Sequence, residues 1–294
     1  MIALALLMPY TANYAFDLFF ENINLPGDHR SVAADRRERI ISLLKNDFDI
    51  LDSFATGSIP AYTALKAHAD LDIMVVLHYS KHVKGKTPSE ILAAVQQSLA
   101  EYRTGVRRNG QAVTLYYNSW PNVDVVPVSR TVNKDGSVNH YNVPDMNTEQ
   151  WIMSRPRTHS NALEARNGSY GSEFKKIIKM IKWWNLRHSS LLRSYHIEAI
   201  ALNVLDGKFS DYSWEVLQFF DKACQLIKGP LWHETGLADD YLDWEGRQEI
   251  LKRLSRASEK ATAAWHATYM NNCDEEKAIN LWREIFGDKF PSYG

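Results

Sequence analysis

The sequence predicts an α+β fold in which a mixed sheet occupies the first half of the chain and helices occupy the second. Two short runs rich in β-branched residues, at 73–77 and 123–128, have the length and composition of strands, and an alternating run at 111–117 predicts another. Beyond about residue 160 the apolar residues recur at helical spacing, and the first long stretch covers residues 172–187. We therefore expect two domains, a sheet-containing domain at residues 1–160 and a helical lobe at residues 161–294.

The composition is that of an ordinary globular protein. The 294 residues are 45% hydrophobic and 23% charged, and the net charge is −1. A chain so close to neutrality is not expected to bind nucleic acid strongly over a large surface. Its two cysteines, Cys224 and Cys273, form no disulfide framework and predict a reducing, cytoplasmic location.

The first eight residues, from Met1 to Met8, are apolar. They lack the basic residues of a secretion signal and are too short to span a bilayer, so we expect neither secretion nor a membrane partner. Amphipathic character begins only after this run, which favours the hypothesis that translation starts at Met8. Retention of Met1, measured by intact mass, would contradict that hypothesis.

The chain is organised around residues 57–77. This stretch opens with a Gly-Ser turn and places Asp70 and Asp72 at the start of an apolar strand. Residues two apart in a strand face the same side, so the two carboxylates point together and repel each other. A hard cation such as Mg²⁺ between them removes the repulsion. An isolated Asp-x-Asp is more often a solvated strand entrance, and a third acid is needed to change that interpretation.

The third acid is Asp124, in a β-branched run that Pro127 is expected to end. If this strand lies beside the first one, Asp124 joins the other two acids. Three carboxylates can hold two Mg²⁺ ions about 4 Å apart, the arrangement used for phosphoryl and nucleotidyl transfer. Gly57 and Ser58 would then offer backbone N–H groups and a hydroxyl to a phosphate.

This order of motifs resembles the nucleotidyltransferase superfamily related to DNA polymerase β. More narrowly, it resembles the CD-NTases, the bacterial cyclic-oligonucleotide synthases of anti-phage CBASS systems, which are relatives of cyclic GMP-AMP synthase and oligoadenylate synthase. The resemblance covers nearly the whole chain. Residues 151–159 resemble the joint between the two halves, and residues 278–291 resemble the family's C-terminus. The chain departs from the family at Tyr62, where the loop often has a glycine before the threonine.

The second half of the chain also resembles this family. The run Ile-Lys-Met-Ile-Lys-Trp-Trp-Asn (178–185) and the later Ser-Tyr-His-Ile-Glu are similar to the lysine helix and the Ser-Tyr helix start of the same family. By this resemblance Lys182 and Ser194 bind the donor triphosphate, Lys179 is a weaker candidate, and Tyr195 stacks on a base. A helix N-terminus also offers free N–H groups to an anion. Taken alone, the lysine stripe would be a solvated face, Ser194 a helix cap and Tyr195 a core aromatic.

The resemblance implies a polymerase β-like core, a helical lobe, an active site in the cleft between them, and an early helix at residues 33–44 that bridges both. It implies two ions of Mg²⁺, or of Mn²⁺, on the three acids. These assist in-line attack of a ribose hydroxyl on the donor α-phosphate, with Asp124 nearest the acceptor. A second transfer closes a cyclic di- or trinucleotide, such as cyclic GMP-AMP. The implied partners are ATP or GTP, an effector that responds to the product, and an activating accessory protein.

Two other classes stay open on the residues alone. The first is a nucleotidyltransferase that does not cyclise and acts on RNA or a small molecule. An RNA-extending enzyme should show a basic track, and the net charge of −1 counts against one. The second is a non-catalytic nucleotide-binding module, which is disfavoured because all three acids and the Gly-Ser turn are present.

Overall fold

A computed structural model of the protein describes residues 11–66, 68–234, 236–270 and 273–294. The described chain divides into two compact units. The sheet unit is Leu25–Ser160, and the helical unit consists of the described residues up to Asn24 together with Asn161–Gly294. The apolar N-terminal run and the Met8 hypothesis lie outside the described residues. Within the described ranges, every helix is too short or too polar to cross a membrane.

The elements are named in chain order. The strands are β1 (Ile50–Thr56), β2 (Leu71–Leu77), β3 (Val106–Asn109), β4 (Ala112–Leu115), β5 (Val123–Val132), β6 (Val138–Asp145), β7 (Gln150–Ser154), β8 (Trp232–His233) and β9 (Gly236–Leu237). The helices are α1 (Ala12–Ile23), α2 (Asp28–Leu44), α3 (Pro88–Ala100), α4 (Pro156–Tyr170), α5 (Glu173–Arg187), α6 (Ser194–Val204), α7 (Tyr212–Leu226), α8 (Trp244–Tyr269) and α9 (Glu275–Phe286), with a π-helical turn at Tyr79–Val83.

The sheet unit contains a seven-stranded mixed sheet, which confirms the predicted fold class. Five strands lie in the order β1-β2-β5-β4-β3, and β6 and β7 extend the sheet from β5. Strands β2 and β5 are parallel, and the other paired strands are antiparallel. The parallel pair is therefore at the centre of the sheet, and both of its strands carry the predicted acids.

Strand β2 is buried on both faces. Ile40 of α2 and Ile91 of α3 share a buried apolar cluster with Ile73, so these two helices cover one face of the sheet. The next residue, Met74, points to the opposite face and belongs to a second cluster. Burial on both sides explains why the strand is an unbroken apolar run instead of an alternating one.

Pro127 does not end its strand, and the sequence-based prediction was wrong on this point. Strand β5 continues through Pro127 to Val132 and has neighbours on both sides. On the side away from β2, strand β4 pairs with residues 123–125 and strand β6 pairs with residues 129–132. Pro127 falls between these two partners, where its missing N–H removes no hydrogen bond to either of them.

Two further segments differ from expectation. Residues 151–159, predicted as a joint, complete β7 and begin α4. Residues 106–109 form the unpredicted edge strand β3, which pairs with β4. Only Val106 of this strand is buried, so its exposed polar sequence gave no strand signal.

The helical unit has an aromatic core that joins the two ends of the described chain. Phe16 and Phe19 of α1 pack against Trp282 and Phe286 of α9, with ring centroids 5.0 Å apart for Phe16 and Trp282 and 4.7 Å apart for Phe19 and Phe286. All four side chains are fully buried. Aromatic pairs of this kind add about 0.5–1.5 kcal/mol each beyond the burial of their area. Helix α1 therefore belongs to the helical unit, whereas the predicted sheet domain began at residue 1.

Candidate active site

The central feature of the site is the register between β2 and β5. Asp72 is the second residue of β2, Asp124 is the second residue of β5, and the two are direct partners across the parallel pair. Partners in register project their side chains to the same face of a sheet. Both residues are half-buried. The structure thus places two of the predicted carboxylates side by side at the beginning of the two central strands.

Asp70 lies just before β2, two residues from Asp72. Partial desolvation raises the pKa of the Asp70 carboxyl, the negative charge of Asp124 raises it further, and a hydrogen bond from the Asn122 side chain opposes both. The Asp70 and Asp124 carboxylates are therefore near enough to repel each other. A cluster of three acids is brought together, and the cost of its mutual repulsion would be relieved by a bound cation.

Gly57 fits closely against this cluster. Its φ of +75° is in the left-handed region, and a Cβ added there would lie 2.1 Å from Oδ2 of Asp72. Glycine is required on both counts, since any side chain would be strained and would displace the carboxylate. Ser58 follows in a turn closed by the hydrogen bond from the Thr63 N–H to its carbonyl, at 2.9 Å. The predicted Gly-Ser turn is thus next to the acids.

Tyr62, the residue that departs from the family pattern, adopts φ +62°. A glycine would adopt this left-handed conformation without strain, whereas a tyrosine disfavours it. The tyrosine therefore adopts a backbone conformation that suits glycine better. Its ring is 49% exposed. The guanidinium of Arg30 lies 4.0 Å from the ring centroid, and the next residue, Thr63, is fully buried. These contacts hold the loop in place.

Two polar residues of the site were missed by the sequence analysis. Thr114 on β4 is the cross-strand partner of Asp124 and donates a hydrogen bond from Oγ1 to its Oδ1 at 2.5 Å. Asn122 is the second, and its side chain lowers the pKa of the Asp70 carboxyl. Its carbonyl accepts a hydrogen bond from the N–H of Leu71 at 2.9 Å. A signal did exist for Asn122, because Asn122-x-Asp124 repeats the spacing of Asp70-x-Asp72.

The helical unit contains the predicted lysines, and they are not on a solvated face. Lys179 and Lys182 of α5 are 4% and 6% exposed. Nζ of Lys182 donates to Oε1 of Glu198 on α6 at 2.7 Å, and Nζ of Lys179 donates to Oδ1 of Asn24 at 2.5 Å. A buried ammonium held by a carboxylate has a fixed position, which suits a group that must meet a phosphate at a defined place.

Ser194 and Tyr195 are the first two residues of α6. Arg193 is the N-cap, so Ser194 is not the helix cap that the residue type suggested, and it is exposed. Tyr195 is 37% exposed, so it is not a core aromatic, and its ring lies 5.4 Å from that of His233. Burial of its hydroxyl raises the pKa of Tyr195, and the charge of Glu234 adds to the shift, so the phenol keeps its proton. The helix start thus presents a hydroxyl and a neutral ring.

Comparison with known proteins identifies the family of the chain. The family profile described as Second Messenger Oligonucleotide or Dinucleotide Synthetase domain matches residues 10–167. A probable cyclic nucleotide synthase of Bacillus cereus is 24% identical, over 97% of this chain and 99% of that protein. The CBASS oligonucleotide cyclase CdnC of Escherichia coli is 21% identical, over 91% of this chain and 93% of that protein.

Solved structures show the same fold. Escherichia coli MS115-1 CdnC with ATP has a TM-score of 0.77 at 18% identity, over 95% of this chain and 99% of that chain. The same protein in a complex with HORMA-deltaN has a TM-score of 0.75, over 95% and 98%. The predicted polymerase β-like architecture is therefore confirmed. Since the family profile matches more than half of the sequence, the chain belongs to the family of second messenger oligonucleotide or dinucleotide synthetases.

Proposed function

We propose that this protein joins ribonucleoside triphosphates into a cyclic di- or trinucleotide and releases pyrophosphate. The observation that carries the proposal is the pairing of Asp72 with Asp124 across the parallel strands, with Asp70 beside them. An enzyme that condenses nucleotides needs this concentration of negative charge in order to bind metal–nucleotide complexes. Family membership supports the reaction class, nucleotidyl transfer.

The three acids suit divalent cations. They offer only hard oxygen donors, and the charge of Asp124 already disfavours ionisation of Asp70 in the absence of a cation. We assign Asp70, Asp72 and Asp124 as the ligands of two Mg²⁺ ions, which Mn²⁺ could replace. When bound, such ions stabilise the charge that develops on the donor phosphate and lower the pKa of the attacking hydroxyl.

The surrounding residues of the sheet unit have distinct tasks. Asp124 lies nearest the acceptor and takes the proton of its ribose hydroxyl. Thr114 fixes the orientation of Asp124 through the Oγ1 hydrogen bond. Gly57 and Ser58 bind a phosphate of the donor through backbone N–H groups and the serine hydroxyl, because the Gly57 backbone approaches the acids without a side chain.

The residues of the helical unit bind the rest of the donor. Lys182, oriented by Glu198, and Ser194 contact the triphosphate, and Lys179 adds positive charge. Tyr195 stacks on the base, an interaction worth about 1–3 kcal/mol per base in proteins that bind single strands.

We extend the substrates, the activating partner and the signalling role of the relatives to this chain. ATP or GTP are the substrates, as the ATP complex of CdnC suggests. An accessory protein activates the enzyme, as the HORMA-deltaN complex suggests. The cyclic product signals to a separate effector in anti-phage defence, and the enzyme acts in the cytoplasm.

The first experiment identifies the product. The purified protein is incubated with all four ribonucleoside triphosphates and Mg²⁺, treated with phosphatase and analysed by mass spectrometry. We expect a phosphatase-resistant cyclic species, whose mass gives the bases and the ring size. Linear oligomers, or transfer only to an added acceptor, would replace the proposal with a non-cyclising nucleotidyltransferase.

The second experiment tests the metal ligands. Asp72→Ala should abolish product formation while circular dichroism and the melting temperature stay close to those of the wild type, because Asp72 is at a strand end and only half-buried. Asp135→Ala, in the exposed β5–β6 turn, removes the same charge and should leave activity unchanged. Full activity of Asp72→Ala in the presence of Mg²⁺ would refute the assignment.

A further inference from the structure

The sheet unit contains a cavity of about 420 Å³ that the proposed reaction does not use. It is lined by one side of α2, by the end of α3 with the two residues Tyr102 and Arg103 that follow it, and by Leu115 at the end of β4 with Tyr117 beyond it. A volume of this size is typical of sites for small molecules. The three acids are not part of its wall.

The wall of this cavity is cationic. It includes the guanidinium groups of Arg36, Arg39 and Arg103, against the single carboxylate of Asp35. Among the described side chains, none of these arginines forms an ion pair with an acid. Burial lowers the pKa of Arg36, and the nearby charge of Arg103 adds to the effect, while Tyr117 opposes it. Within the part of the chain that the structure describes, the cavity wall therefore keeps an excess of positive charge.

Two of the arginines are held by contacts with the residues that follow β4. The guanidinium carbons of Arg36 and Arg103 lie 3.9 Å and 3.8 Å from the ring centroid of Tyr117. Arg103 donates two hydrogen bonds to the carbonyl of Tyr116, at 3.2 and 2.9 Å. Stacking and hydrogen bonding fix both planes, and a fixed guanidinium plane is suited to two-pronged recognition of a carboxylate or phosphate.

The rest of the wall is suited to a flat ring. Tyr102 is 48% exposed, and its hydroxyl is held by a hydrogen bond from the side chain of Asn46 at 3.1 Å. Leu43 and Leu99 add apolar surface to the lining. We propose that this cavity binds a small planar molecule that carries at least two carboxylate or phosphate groups, with its anionic groups on Arg39 and Arg103 and its ring against Tyr102.

Arg36 connects this cavity to the acids. It donates hydrogen bonds from Nη1 to the carbonyls of Ser119, at 3.1 Å, and Pro121. The next residue, Asn122, accepts a hydrogen bond through its carbonyl from the N–H of Leu71, which lies between Asp70 and Asp72, at 2.9 Å. A ligand that shifts Arg36 therefore acts on the segment that positions two of the three acids, and occupancy of the cavity should change the rate of nucleotidyl transfer.

Binding is tested without turnover, so the result does not depend on the proposed function. Isothermal titration in EDTA uses adenosine 3′,5′-bisphosphate as the phosphate probe and benzene-1,2,4-tricarboxylate as the carboxylate probe. The variant Arg39→Glu reverses one charge on an exposed residue that has no partner among the described side chains, so the fold should be retained. The matched control is Arg37→Glu, on the same helix but outside the cavity lining.

We expect at least one probe to bind the wild type with a Kd below about 1 mM, and Arg39→Glu to weaken that binding by at least about tenfold. Arg37→Glu should bind as the wild type does. Which probe binds more tightly distinguishes a phosphate from a carboxylate ligand. No binding of either probe, or equal weakening in both variants, would overturn the proposal, since equal weakening indicates only a diffuse charge effect.

The link to the acids is tested in the synthase assay. The probe that binds is added at about ten times its Kd. We expect the rate of the wild type to change and the rate of Arg39→Glu to stay the same. An unchanged wild-type rate would disprove the connection through Arg36. An equal change in both proteins would assign the effect to competition at the nucleotide site instead.

Discussion

Two residues of the loop next to the acids show how a side chain is chosen by backbone conformation. Gly57 has a left-handed φ and lies against Asp72, so any other residue would be strained and would displace the carboxylate. Tyr62 has a left-handed φ as well, but it carries a side chain and pays for it with strain on the order of 1–2 kcal/mol. The ring contact with Arg30 and the burial of Thr63 compensate for this strain.

This strain can be measured by comparing two substitutions that both remove the ring. Tyr62→Gly should be more stable than Tyr62→Ala by about 1 kcal/mol, because only the alanine retains a Cβ in the left-handed region. The measurement is the free energy of unfolding in urea. Tyr116 provides the control, since it is 46% exposed and is not among the residues with positive φ. There alanine should be the more stable, and the same order at both positions would show that Tyr62 is not strained.

Among the secondary-structure elements, α5 and α6 are connected by a buried ion pair. Lys182 and Glu198 are 6% and 6% exposed, and their charged atoms are 2.7 Å apart. An ion pair in this position contributes little net stability but is costly to break, because the remaining charge is buried without its counter-ion. The pair therefore fixes the ammonium in place more than it stabilises the fold.

Two variants separate the structural role of Lys182 from its proposed role in binding triphosphate. Lys182→Met should lose about 3–5 kcal/mol of unfolding free energy. Lys182→Met with Glu198→Leu should recover most of that loss, since neither charge remains. Both proteins should bind ATP much more weakly than the wild type in an equilibrium binding assay. Normal ATP binding by the stable double variant would exclude Lys182 from the nucleotide site.

At the scale of the whole molecule, each of the two compact units has apolar packing of its own. The sheet unit has the cluster around β2 with α2 and α3, and the helical unit has the aromatic core of α1 and α9. A chain with two packed units is expected to depart from a single two-state transition.

Scanning calorimetry with two core substitutions tests this. Ile91→Ala in α3 and Ile181→Ala in α5 each truncate a buried side chain and should cost about 2–5 kcal/mol. We expect two transitions, of which Ile91→Ala lowers one and Ile181→Ala lowers the other. A single transition that both variants lower equally would show that the cores unfold together.

The sequence by itself determined the features that depend on residues close together in the chain. The apolar runs predicted β2 and β5, helical spacing predicted α5, and the Asp-x-Asp spacing and the Gly-Ser turn identified the candidate acids and loop. These features follow from the periodicity of one segment and the conformational preferences of a few residue types, which operate over a handful of positions.

Only the tertiary structure decided which segments meet. The parallel register that places Asp72 beside Asp124, the hydrogen bond from Thr114, the burial of Lys182 against Glu198, and the packing of α1 on α9 all join residues that are far apart in the chain. Local pattern contains little information about such contacts, because their free energy comes from burying surfaces and pairing charges between segments.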